Sequence, residues 1–159
     1  MLFVCTANIT RSPVAEAMLR GVAAKSNEKW KVGSAGTKAV RGAAPNPIAA
    51  YIMHQRGIPI NKHRSQSFTP KLLKRFYWIL VMEQKHRDEI VKSNPKAADR
   101  VFTVREFGRE TPQLVPDMPD PTSKELEDYN ELFAILDEEI LRVFKTLQNK
   151  VSDLSWKEE

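Results

Sequence analysis

"VCTANITRSP", residues 4–13, runs from the end of an apolar stretch to an arginine and a Ser-Pro pair. Residues 1–4 read as a short buried strand. Pro13 stands where a helix best tolerates proline, with Ser12 as the expected N-cap. Val14, Met18 and Val22 then share one helical face at i, i+4 and i+8. The segment therefore reads as strand, loop, helix, with the only cysteine of the chain, Cys5, at the strand's carboxyl end. Open α/β sheets bind their ligands at that end, in the loops leading into helices.

Outward from this unit the pattern repeats. "WKVGSAG" (30–36) reads as a second strand closed by a glycine turn, and "PNPIAAYIMHQRG" as a helix capped at Asn46-Pro47 and stopped by Gly57. "FYWILVM" (76–82) is a continuous apolar run, the mark of a strand covered on both faces. A helix over 84–93 and a strand at "RVFTV" (100–104) follow, then a proline-punctuated loop over 108–121. Leu126, Tyr129, Phe133, Leu136, Ile140, Val143 and Leu147 recur at spacings of three and four, after a capping-box pattern at Thr122-Ser123-Lys124-Glu125. Strands alternating with helices predict an α/β fold with a parallel sheet, a single domain over 1–150 and a tail over 151–159.

The chain has 159 residues, enough for one substantial core, and its 42% hydrophobic and 28% charged residues are ordinary for a globular protein. It has no apolar run of membrane-spanning length and nothing resembling a signal peptide. One cysteine allows neither an intramolecular disulfide nor a thiolate metal cluster, so a reducing cytoplasm is expected. The net charge of +5 suits an anionic partner. It is unevenly spread: Lys38 to Arg75 holds eight Lys/Arg and no Asp or Glu, whereas Lys124 to Glu139 is strongly acidic. Two readings stand: solvated faces of opposite sign, or a positive rim around an anion site.

Between strand end and helix start, backbone N–H groups converge on a centre that the helix dipole makes attractive to anions. The same field favours the nucleophilic thiolate of Cys5. Arg11 adds a planar guanidinium able to hold two phosphoryl oxygens at once. Together they suit in-line attack on a phosphate and a phosphocysteine intermediate. Ser12 is placed to donate to the thiolate and steady it as a leaving group. Asn8 is suited to brace the loop through its amide or to take up a left-handed backbone. Cleaving a phosphomonoester also needs a general acid, and "VPDMPDPTS" offers Asp117 and Asp120. On the Cys-x5-Arg spacing alone, a buried inert cysteine would be the simpler reading, and Asp-Pro pairs are common turn formers.

Val4-Cys5-Thr6-Ala7-Asn8-Ile9-Thr10-Arg11-Ser12-Pro13-Val14-Ala15-Glu16, followed by Ser34-Ala35-Gly36, His63-Arg64-Ser65, "WILVM" and Asp120-Pro121, resembles the low-molecular-weight protein tyrosine phosphatases in order and spacing. The resemblance implies a three-layer sandwich with a central four-stranded parallel sheet flanked by helices. It also implies hydrolysis of phosphotyrosine through a phosphocysteine, with no metal or cofactor. Cys5 would be nucleophile, Arg11 the phosphate clamp, and Asp120 the acid of the first step and the base of the second. Thr6, Ala7, Asn8, Ile9, Thr10 and Ser12 would form the phosphate loop, supported by Ser34 and His63, with Val40 and Thr122 at the substrate lip. The implied partners are a phosphotyrosine-containing protein and inorganic phosphate or a similar oxyanion, and neither nucleic acid nor membrane.

Three positions depart from that family's pattern. Thr10 stands where many members carry a second cysteine, so oxidised Cys5 has no resolving partner in the chain. Thr122 and Ser123 replace tyrosines, and Val40 replaces an aromatic at the opposite lip. Ring stacking contributes only about 1 kcal/mol per pair, so these losses would weaken preference for aryl phosphates more than catalysis. Among enzymes that share the resemblance, arsenate reductases relay electrons through further cysteines, which this chain lacks. Protein arginine phosphatases tend to carry a small polar residue where Ile9 stands. A non-catalytic phosphate- or nucleic-acid-binding module is supported only by the basic balance.

Overall fold

The computed structural model describes residues 1–122 and 124–155, with side chains described as far as Lys150. The chain forms β1 (Leu2–Cys5), α1 (Arg11–Lys25), β2 (Gly33–Gly36), α2 (Pro47–Gln55), α3 (Leu72–Arg75), β3 (Ile79–Val81), α4 (Gln84–Ser93), a 3-10 stretch (Pro95–Arg100), β4 (Val101–Thr103) and α5 (Leu126–Ser155). The four strands pair in parallel in the order β2-β1-β3-β4. Val4 lies beside Ala35 on one side and Val81 on the other, so the carboxyl ends of β1, β2 and β3 emerge together.

Period-two alternation sorts the strand residues between two cores. Phe3, Cys5, Leu80 and Met82 face one core, shared with Val14 and Leu19 of α1, Met53 of α2, and Phe133, Leu136 and Ile140 of α5. Leu2, Val4, Ile79, Val81 and Val101 face the other, against Leu72 of α3, Ile90 of α4 and Ala97. Both sheet faces are covered, giving the expected three layers. Phe3 is fully buried at the centre, where truncation to alanine costs about 3–5 kcal/mol.

Several elements differ from the sequence reading. β2, β3 and β4 are shorter than the segments read as strands, β1 is shifted by one residue to end at Cys5, and α3 falls in a segment that the sequence reading left unassigned. The residue before α1 is Thr10, not Ser12, and its side chain makes no capping bond; Ser12 lies in the first helical turn, turned to Cys5. Asn46 caps α2 as expected, accepting from the Ile48 and Ala49 N–H groups. At α5 the residue before the helix is Glu125, whose N–H donates to Asp128 Oδ2 at 3.1 Å, the reach-back half of a capping box. Ser123 of the anticipated box lies outside the described residues. α5 continues through Ser155, so the expected tail is helical at its start, and residues 156–159 lie outside the described residues. Among the described residues, no helix is long and apolar enough to cross a membrane.

Candidate active site

β1 ends at Cys5, and residues 6–10 carry the chain over the carboxyl edge of the sheet into α1. The loop lies directly on β2: a Cβ built on Gly36 would sit 2.4 Å from the Thr6 carbonyl oxygen and 2.9 Å from the Asn8 nitrogen. Only glycine permits that approach. Thr37 N–H donates to the Cys5 carbonyl and Lys38 N–H to the Thr6 carbonyl, both at 2.9 Å, fixing the loop's first half from below. The Ile9 carbonyl accepts the N–H of Asn46, joining the second half to the start of α2.

Asn8 is the pivot. Its φ of 56° is left-handed, a conformation asparagine tolerates better than other side chains. Fully buried, it has partners on every side. Its Nδ2 donates to Ser12 Oγ and Ser34 Oγ, each at 2.9 Å, and its Oδ1 accepts from Gln66 N–H at 2.9 Å. Its carbonyl lies 2.8 Å from His63 Nε2, which must donate because a carbonyl oxygen accepts. Ser34 Oγ in turn donates a hydrogen bond to Glu16 Oε2 at 2.6 Å. With its geometry held, the Asn8 N–H points at Cys5 Sγ at 3.2 Å. Ser12 Oγ stands 3.0 Å from the same sulfur. That hydroxyl accepts from Asn8, and its proton faces a choice between Sγ and the Ala35 carbonyl at 3.3 Å. A thiolate takes it, being closer and charged.

Arg11 is 2% exposed, and its guanidinium is oriented by two carboxylates. One nitrogen donates to Glu83 Oε1 at 2.6 Å and faces the Met118 carbonyl at 3.4 Å; the other donates to Asp120 Oδ2 at 2.8 Å. Burial would raise the Glu83 carboxyl, but hydrogen bonds from Arg11 and Lys85 outweigh it and hold it below the ordinary glutamate value. Burial acts in the same direction on Asp120, and there the hydrogen bonds from Thr122 and the charge of Arg11 prevail, again lowering the carboxyl. Asp117 is engaged elsewhere: its Oδ1 accepts the N–H of Gln84 at 2.6 Å, at the start of α4. The two aspartates that the residue pattern offered together thus have different partners, and Asp120, the one that the resemblance pointed to, is the one on Arg11.

Glu83 and His86 went unremarked in the sequence, yet both stand in the site. Glu83 follows the last residues of β3, and the parallel register that sets Val81 beside Val4 brings it next to the residues following Cys5. The signal was available: a carboxylate just past a buried apolar run, at the carboxyl edge of the sheet where the loop after Cys5 also lies. His86 is 1% exposed, and its Nδ1 accepts the N–H of Glu83 at 3.1 Å. The proton therefore lies on Nε2, which donates to Thr6 Oγ1 at 2.8 Å. Burial, aided by the charge of Arg11, pushes the His86 pKa down to about 4, so the ring is neutral at pH 7 and does not compete with Arg11 for charge. Thr10 Oγ1 is buried without a hydrogen-bond partner among the described residues. Of the two residues expected at the substrate lip, Val40 is strongly exposed in the loop after β2, and Thr122 N–H donates to Asp120 Oδ1 at 3.1 Å.

A sulfur faced by an N–H group and a hydroxyl, beside a guanidinium and a carboxylate, suits nucleophilic attack on a tetrahedral oxyanion. Comparisons with known proteins identify the family. The family model described as low molecular weight phosphotyrosine protein phosphatase matches residues 1–153. A low molecular weight protein tyrosine phosphatase from T. tengcongensis superposes with a TM-score of 0.81 at 32% identity, covering 94% of this chain and 97% of that one. Wzb from Vibrio vulnificus, solved with benzylphosphonate, superposes at 0.78 with 26% identity over 91% and 95% of the two chains. A protein-arginine-phosphatase of Geobacillus stearothermophilus is 32% identical over 150 residues, 94% of this chain and 97% of that protein. On the extent of these matches, the chain belongs to the low molecular weight phosphotyrosine protein phosphatase family.

Proposed function

We propose that the protein hydrolyses phosphotyrosine in protein substrates through a phosphocysteine. The observation that carries this reading is the Cys5 sulfur held at 3.2 Å by the Asn8 N–H and at 3.0 Å by Ser12 Oγ, on a loop that leads from Cys5 into the buried Arg11. The phosphoryl dianion takes the N–H groups of residues 6–11 and the Arg11 guanidinium as its partners. The Arg11 nitrogen now on Asp120 turns to the phosphoryl oxygens. Once Asp120 loses that cation and gains a dianion as neighbour, its carboxyl holds a proton more readily.

The Cys5 thiolate attacks phosphorus in line, the bond to the tyrosine oxygen breaks, and Asp120 gives its proton to the departing phenoxide. Asp120, now a carboxylate, takes a proton from the water that attacks phosphorus. The S–P bond breaks, Ser12 donates to the returning thiolate, and inorganic phosphate leaves. Glu83 keeps Arg11 oriented through both steps, and His86 fixes Thr6 at the loop entrance.

Phosphoarginine is the second reading, motivated by the arginine phosphatase among the relatives. Ile9 favours phosphotyrosine, because a bulky aliphatic leaves less room for water beside the phosphoryl group than a small polar residue does. A cytoplasmic location suits the single free thiol. The test is hydrolysis of an aryl phosphate in the presence of a chelator, by the natural protein and by Cys5→Ser. Turnover that falls by about four orders of magnitude or more in the variant supports the reading; equal rates contradict it. Phosphotyrosine and phosphoarginine substrates compared side by side decide between the two enzymes.

A further inference from the structure

We propose that the protein has a second anion site behind the phosphate loop, which takes a small polyphosphate group and adjusts the loop through Asn8. A cavity of about 320 Å³ lies there, at the small end of the range for ligand pockets, and Arg20, Lys31, Arg64 and Arg75 line it against a single carboxylate, Glu16. That carboxylate is already engaged, by Arg20 at 2.7 Å and by Ser34 at 2.6 Å. The remaining cations have no carboxylate within 4.0 Å among the described residues. Lys31 Nζ stands 5.3 Å from the centre of the Phe76 ring and Arg75 Cζ 6.0 Å from it, and Arg64 rests on the carbonyls of Asn61 and His63. Cations gathered around a concave, partly desolvated space raise the local concentration of anions. Two of them, Arg64 and Arg75, come from the segment that carries no acidic residue.

The same cavity is lined by Ser34, His63 and Gln66. These three hold the side-chain amide, the side-chain oxygen and the backbone carbonyl of Asn8. An anion seated on the cations lies against all three, so its charge and contacts reach the residue whose N–H points at Cys5. A ligand of one phosphoryl group would satisfy one or two of the cations; a di- or triphosphate group spans the set. The binding part of this inference is independent of the catalytic reading, and the effect on turnover rests on it.

The experiment titrates inorganic tripolyphosphate into the protein with the catalytic site saturated by vanadate, and repeats it with Lys31→Gln/Arg64→Gln/Arg75→Gln. All three side chains are exposed, so the variant folds, and its turnover without tripolyphosphate stays within about twofold of the natural protein because none touches the catalytic residues. Binding that survives vanadate and weakens at least about tenfold in the variant, more at low salt than at high, is the expected result. In a parallel assay with an aryl phosphate, tripolyphosphate shifts kcat as well as KM in the natural protein, and the kcat effect is lost in the variant. ATP run beside tripolyphosphate separates a nucleotide from a free polyphosphate by which binds more tightly. Binding abolished by vanadate, binding unchanged in the variant, or purely competitive inhibition would each overturn the proposal. A catalytically inactive protein that still binds tripolyphosphate under vanadate in the variant-sensitive way would refute the proposed function and leave this site standing.

Discussion

Asn8 and Asp120 show how single residues set this chemistry. Asn8 was legible in the sequence as a loop brace, because asparagine is the side chain that both tolerates a left-handed backbone and bonds to its surroundings; its partner Gln66 was not, since it comes from a distant segment. The residue pattern offered Asp117 and Asp120 together, the family resemblance pointed to Asp120, and the structure bonds Asp120 to Arg11 and Asp117 to Gln84. Asp120→Ala is expected to slow hydrolysis of esters with poor leaving groups by about 100-fold or more, and of activated aryl esters far less. Asp117→Ala is expected to cost much less on either. Steady-state rates over a series of leaving groups measure this, and an equal loss across the series would remove Asp120 from the acid's role.

His86 yields a prediction of its own. Its pKa lies at about 4 in the folded chain against an ordinary 6.5, so between those values the unfolded chain binds a proton that the folded chain refuses. Stability therefore rises with pH through that window, by about 3 kcal/mol for this one group if the full shift is realised. Urea unfolding at pH 4.5 and pH 7.5 measures the slope, and His86→Gln is expected to flatten it.

Among the elements, β1 and the loop after it depend on β2 lying close beneath them. The Ser-Ala-Gly segment was legible as the end of a strand, but the need for glycine at its last position follows from contact with a loop distant in sequence. Gly36→Ala is expected to push the Thr6 carbonyl and Asn8 nitrogen away, lowering phosphate affinity and turnover by about tenfold or more, while leaving the far-ultraviolet circular dichroism unchanged. Titration with inorganic phosphate against the natural protein checks it. The same logic explains why Ser12 is not an N-cap: the first N–H groups of α1 and its loop converge on an anion centre, and a side-chain cap would occupy them. Propensity rules place a serine at the helix start and cannot see what the loop needs its donors for.

At the scale of the molecule, the alternation of strands and helices was enough to name a parallel α/β fold, because buried runs such as "WILVM" and the period of α5 survive any tertiary context. Hidden from it were the contacts that hold α5 to the end of β4. Glu139 of α5 is 7% exposed and meets Arg142 at 2.7 Å and Arg109 at 3.0 Å, and Arg142 in turn donates to the carbonyls of Val104 and Phe107. This cluster anchors the start of the 108–121 loop, at whose far end Asp120 stands. Glu139→Leu leaves the partly exposed guanidinium groups of Arg109 and Arg142 without their carboxylate and is expected to destabilise the fold by about 2 kcal/mol. Because it also loosens the loop's anchor, kcat is expected to fall with little change in phosphate affinity. Thermal unfolding together with phosphate titration separates the two effects.

The central claim is that the phosphoryl group passes through the Cys5 sulfur. Acid quench of the enzyme during turnover of an aryl phosphate, followed by mass spectrometry of the peptide containing residues 1–11, reads this directly. The account predicts one added phosphoryl group on Cys5, accumulating further in Asp120→Ala, where water is no longer deprotonated, and absent in Cys5→Ala. Full turnover with no phosphorylated peptide at any quench time, or hydrolysis that persists in Cys5→Ala, would contradict it.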